Sequence, residues 1–178
     1  RNNNGSTQWV EVSAGSGAHL AKMSRNAAQS IPNATWTKID FDVEDYDVGG
    51  IADPTTNNRF NVIHTGKYLV TASWGGPGLD TNESAQIAIY INGSLYSREF
   101  DLAYETDRPV KVDISNTYSL NAGDYIELYV YQESGESQNT MTSYDQPFMN
   151  VVQIDAAAGT SAGGGSSEWT DAGSYVFP

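Results

Sequence analysis

The chain contains no cysteine, so neither a disulfide framework nor a thiolate metal site is open to it. Basic residues are scarce: nine Lys and Arg stand against 22 Asp and Glu, giving a formal net charge of −13. A surface of that sign repels phosphate backbones, so nucleic acid is not an expected partner. No apolar run is long enough to span a bilayer, and no membrane insertion is expected. The sequence starts at Arg1 without an initiator Met and shows no apolar h-region, as expected of a segment processed or cut from something longer. Only two histidines occur, His19 and His64, and neither belongs to a nucleophile or metal motif. Without cysteine, acyl transfer lacks a thiol nucleophile. Carboxylates are so plentiful that a pair of them does not mark a glycosidase. The chain is expected not to be an enzyme.

Glycine and tyrosine are abundant, with 17 and 11 copies. Together with short β-branched runs and little helical periodicity, they point to an all-β domain. At 178 residues one domain can bury roughly 70% of its unfolded surface, enough for a core without staples. The most informative stretch is Leu120 to Gln132, LNAGDYIELYVYQ. Strand alternation puts Ile126, Leu128 and Val130 on one side and Tyr125, Glu127, Tyr129 and Tyr131 on the other. The aliphatic row suits a core. The tyrosine row suits a subunit interface, a binding face, or a central strand covered on both sides within one domain.

Residues 1–17 read as an N-terminal linker or docking segment, and residues 156–178 as a Gly/Ser-rich linker leading into a further segment. Between them, about nine or ten short strands alternate with turns. Thr35 to Asp42 is a strand with Thr37, Ile39 and Phe41 on one face. Val43 to Asn58 is a long acidic loop, and Lys67 to Trp74 is a strand ending at a flexible Gly75 to Gly78 tip. Asn92-Gly93 is the strongest hairpin signal, because both residues accept the positive φ of a type I′ turn. This series suits a two-sheet antiparallel sandwich.

Several motifs then fall in a familiar order: Tyr46 to Gly50 continued by Asp53-Pro54 and Asn57, Arg59-Phe60 with Val62, Gly66 with Tyr68 to Val70, Ile91-Asn92-Gly93, Leu120 with Ala122-Gly123-Asp124, and Phe148. This succession resembles the C1q-like domains of the tumour necrosis factor superfamily, over about residues 18–155. The resemblance implies a ten-stranded jelly roll that assembles as a compact homotrimer, with one sheet of each subunit facing the three-fold axis. On that reading Tyr125, Glu127, Tyr129 and Tyr131 form the candidate trimer face. It is also reminiscent of phage virion proteins, in which such modules are knobs of tail fibres, tail needles or head fibres. The expected function is therefore a virion-surface module, trimeric, mediating attachment or decorating a capsid, with other virion proteins and a host-surface glycan or protein as partners. A secreted bacterial adhesion module of the same fold, binding glycan or calcium, is the alternative.

Two further groups carry candidate chemistry. The acidic span from Asp40 to Asp53 offers hard oxygen ligands of the kind calcium takes, although its spacing is not that of an EF-hand. Asp45, Asp47 and Asp53 are the candidate ligands if it is more than a solvated loop, and no other cofactor is expected. Trp74 beside the glycine tip and Tyr144 before the last strand are candidate glycan or partner contacts, unless they belong to a core or interface.

Overall fold

The computed structural model describes residues 19–155; the expected flanking segments 1–17 and 156–178 lie outside them. Every regular element among the described residues is a strand. In chain order these are β1 (Leu20–Ser24), β2 (Ser30–Ile31), β3 (Thr37–Lys38), β4 (Val43–Val48), β5 (Ala52–Asp53), β6 (Arg59–Asn61) and β7 (Gly66–Leu79). They continue with β8 (Ser84–Ile91), β9 (Ser94–Leu102), β10 (Arg108–Leu120), β11 (Tyr125–Gln132), β12 (Gln138–Asn139) and β13 (Phe148–Gln153).

Two antiparallel sheets form a sandwich. One has five strands in the order β10-β7-β13-β1-β4; the other runs β5-β6-β11-β8-β9, with β3 also paired to β11. A small β12-β2 pair stands apart from both. Alternation decides what fills the space between them. From the five-stranded sheet come Ala21, Met23, Tyr68, Val70, Ala72, Trp74, Val112, Ile114, Met149 and Val151; from the other come Ile87, Ile89, Ile91, Ile126, Leu128 and Val130. All are buried. The expected aliphatic row of β11 is therefore a core row, and Ile39 and Phe41 join it as their alternation requires.

Gln132 ends the core row of β11 and is fully buried, yet fully used. Its amide donates to the carbonyls of Ile31 and Glu136, at 3.0 and 2.8 Å, and its oxygen accepts from the Ser134 N–H at 2.6 Å. It fastens β2 and the β11–β12 loop to the sandwich end without leaving a buried polar atom unpaired. The β8–β9 hairpin turns at Asn92 and Gly93, with φ of 53° and 74°, as the sequence predicts.

Two expectations are corrected. Val43 to Val48 is not loop but edge strand β4, paired with β1; its carboxylates are tolerated because one face of an edge strand meets solvent. The glycines after Trp74 do not form a flexible tip either. Strand β7 runs through them, pairing Gly75 with Lys111 and Gly76 with Val110. Glycine is needed there for close approach: a Cβ on Gly75 would lie 2.5 Å from Asp145, and one on Gly78 would lie 2.1 Å from Asp107.

Candidate functional site

The outer face of the six-stranded sheet carries Tyr125, Glu127, Tyr129 and Tyr131 from β11. Cross-strand neighbours share a face, so Tyr90, Ala88 and Gln86 of β8 stand beside them. The rings touch: Tyr90 and Tyr129 have centroids 4.2 Å apart. Trp36, just before β3, lies against both Tyr131 and Tyr90, at 5.3 and 6.5 Å. Arg59 sits over the Tyr125 ring at 4.4 Å.

Glu127 is only 8% exposed within this aromatic cover. Lys38 reaches it across the β3–β11 pairing, with Nζ 2.5 Å from Oε1, and also donates to the Asn57 carbonyl at 2.6 Å. Burial first, then the nearby Glu127 carboxylate, push the Tyr129 phenol above its ordinary pKa. A hydrogen bond to Glu133 raises Tyr131 likewise. The tyrosine row is thus half-buried by groups of its own subunit, and Trp36 is the covering residue that strand alternation alone does not locate.

The opposite outer face, on the five-stranded sheet, is different. The register places Leu20 and Lys22 of β1 beside Tyr46 and Val48 of β4, and beside Asn150 and Val152 of β13. Leu69 and Thr71 of β7 continue the face, followed by Thr117 and Ser115 of β10. Lys22 is the one charge among these ten positions of a strongly acidic chain. Tyr46 donates to the Asn150 side-chain oxygen at 2.8 Å, and the Asn150 amide faces the Thr71 hydroxyl at 3.4 Å. Tyr46 and Val48 remain exposed, and among the described residues no strand is layered over this face.

At one end of the bare face is an open pocket of about 360 Å³ lined by Lys22, Ser143, Tyr144, Gln146 and Phe148. The Lys22 ammonium lies 5.1 Å from the Phe148 ring centre. A second exposed apolar group lies along the sandwich edge: Leu95, Tyr96, Phe100 and Leu102 of β9, then Tyr104 beyond it, with Phe100 and Tyr104 62% and 68% exposed.

The expected site residues fare unequally. Trp74 is wholly buried in the core and cannot stack on a glycan; its position in the inward row of β7 puts it there. Tyr144 is fully exposed on the rim of the pocket. The carboxylates of Asp45, Asp47 and Asp53 are engaged separately. Asp45 lies 3.8 Å from Lys22, Asp47 accepts from the N–H groups of Ile51 and Ala52, and Asp53 accepts from the Thr56 and Asn57 N–H groups and the Asn57 side chain. The Asn57 side chain chiefly, with those N–H groups, holds Asp53 below the usual carboxylate pKa. Among the described residues no three His, Cys, Asp or Glu side chains converge to hold a metal ion. Here the three aspartates organise turns and an ion pair.

This two-sheet arrangement is that of the C1q- and TNF-like jelly rolls. Similar solved structures include Eiger TNF from S. frugiperda (TM-score 0.53, 17% identity, covering 79% of this chain and 93% of that one) and murine APRIL (0.58, 13%, 77% and 99%). The globular domain of zebrafish complement 1qA is also similar (0.59, 12%, 77% and 98%). In sequence the chain is similar to phage-like element PBSX protein XkdV of Bacillus subtilis strain 168, 29% identical over 134 residues. It is also similar to the uncharacterized protein YqcC of that strain, 26% identical over 146 residues. These matches cover 71% and 79% of this chain but only 19% and 39% of the two relatives. No family model matches the chain.

Proposed function

We propose that the chain is a structural module of a phage-type particle, a homotrimer displayed on the virion surface as a fibre knob or capsid decoration, serving attachment or surface binding. The observation that carries this reading is the central part of the outer face of the five-stranded sheet, ten positions that no described strand covers and among which Lys22 is the one charge. An exposed face of this kind in a chain of net charge −13 is suited to burial against a partner. Likeness to a phage-element protein supports the particle, and the jelly roll supports self-association rather than catalysis.

Closing a ring of three requires a heterologous contact, in which two different patches of each subunit meet. The structure offers both: the bare face, and the β9 edge with Phe100, Leu102 and Tyr104. In this arrangement the half-covered tyrosine row of β11 points away from the axis. Three outer surfaces would then be presented together, so weak contacts to a host-surface glycan or protein add as avidity. Tyr144 is the candidate contact for such a ligand or for a neighbouring virion protein.

The test is assembly-dependent adhesion. The wild-type chain should bind cells or particles as a trimer, and Val152→Asp, which puts a carboxylate on the bare face, should abolish both trimer and binding while leaving the subunit folded. A folded, monomeric Val152→Asp chain that still binds at wild-type strength would remove avidity from the mechanism.

A further inference from the structure

The chain's two histidines, far apart in sequence, meet face to face. His19 immediately precedes β1 and His64 lies between β6 and β7; their ring centroids are 4.6 Å apart, with the planes 27° from parallel. His19 is 8% exposed, and its Nδ1 is buried with no hydrogen-bond partner among the described residues. The ring is wedged against Gly49, where φ is +109° and a Cβ would come within 1.9 Å of Nδ1. An unpartnered lone pair on a neutral imidazole is tolerable in such a place. A buried imidazolium N–H without an acceptor is much less so.

The pair sits where the described sandwich meets both flanking segments. The His19 carbonyl accepts from the Gln153 N–H at the end of β13, and the Lys67 carbonyl from the Ile154 N–H, each at 2.8 Å. Charged and titratable groups approach from every neighbouring element. Asp47 comes from β4, its carboxylate already taken by Ile51 and Ala52. Tyr68 of β7 donates to the His64 carbonyl at 2.7 Å, and Asp155, past β13, binds the backbone N–H of Lys67. Asp47 favours an imidazolium at His19; burial and His64 oppose it and prevail, so the His19 pKa falls below its ordinary value.

We propose that the His19–His64 stack is an acid-sensitive latch that fastens the chain's entry into β1 and exit from β13 while His19 is neutral, and releases that end of the sandwich when protonation leaves a buried His19 imidazolium without an acceptor, stacked on the exposed His64 ring. The sign follows from linkage. The unfolded or opened chain takes up a proton first, so the latch is complete above pH about 6.5 and weakens as pH falls below it.

The test is NMR on the full chain between pH 8 and pH 4, following the two imidazole signals and the amide exchange of Gln153 and Ile154, referenced to Val151 in the same strand and corrected for the pH dependence of intrinsic exchange. His19 should titrate below its ordinary range. On acidification, protection of Gln153 and Ile154 should fall relative to Val151, by about tenfold for each pKa unit separating His19 from that range. His64→Phe keeps a ring in the stack but removes the imidazole that opposes a cation at His19, and should make this dependence shallower while leaving the part due to burial. A His19 that titrates at or above its ordinary value, or a His64→Phe chain with the wild-type pH profile, would overturn the latch. If that variant does not fold, the wild-type titration and exchange decide.

Discussion

The two outer faces of this sandwich differ less in apolar content than in who covers them. On the six-stranded sheet, Tyr90, Tyr129 and Tyr131 pack on one another and on Trp36, around an ion pair between Lys38 and Glu127. On the five-stranded sheet, Leu20, Val48, Leu69 and Val152 stand among Thr, Ser and Asn side chains, and among the described residues no strand is layered above them. A row of aromatic residues therefore does not by itself mark an interface. What marks one is a face that its own subunit has left uncovered, with few charges to desolvate.

The largest expected effect separates the faces by assembly. Val152→Asp or Thr71→Asp should convert a three-chain particle into single chains, because each subunit would bury an unpaired carboxylate in the ring contact. Light scattering reads the mass, and the melting of the resulting monomer should show a folded protein. The tyrosine face should respond the other way, through subunit stability. Lys38→Ala leaves Glu127 buried without its cation and should cost about 2 kcal/mol, a value discounted for the partial exposure of Lys38. Denaturant unfolding of the monomeric Thr71→Asp background measures it free of assembly.

Trp36→Ala comes next. It removes the ring lying over Tyr90 and Tyr131, and a loss of about 1–2 kcal/mol is expected from lost burial and aromatic contact. The mass should stay at three chains; dissociation of Trp36→Ala without loss of subunit stability would return the tyrosine row to the interface. The smallest effect is with pH. Tyr129 and Tyr131 have raised pKa values in the fold, so the unfolded chain ionises first. The stability they contribute is fully present below pH about 10 and is lost as pH rises through their folded values. A Tyr129→Phe chain should lose less stability than wild type over that alkaline range.

Much of the fold was legible in the sequence because it follows from alternation and turn chemistry. Ile126, Leu128 and Val130 lie in the core, and Asn92-Gly93 turns a hairpin, with no information beyond neighbouring residues. What was hidden depends on contacts between distant segments. The glycines after Trp74 look like a flexible tip until Asp145 and Asp107 are seen pressed against their backbone. Val43 to Val48 looks like loop because its carboxylates mask an edge strand whose partner, β1, lies far earlier in the chain.

The candidate site was less legible than the fold for the same reason. Alternation identified the tyrosine row but could not show that Trp36 covers it, and the density of carboxylates suggested calcium ligands without showing that their oxygens accept from backbone N–H groups or pair with a lysine. Trp74 reads as an exposed ring only if the strand ends at it, whereas β7 runs on to Leu79. The two histidines offer no local signal, since their meeting is a product of topology.

The most direct measurement is the molar mass of the intact chain in solution, by light scattering after size exclusion, for wild type and Val152→Asp side by side. The uncovered face predicts about three times 19.3 kDa for the first and one chain for the second. A monomeric wild type would contradict the ring, and a trimeric Val152→Asp would contradict its placement on the five-stranded sheet.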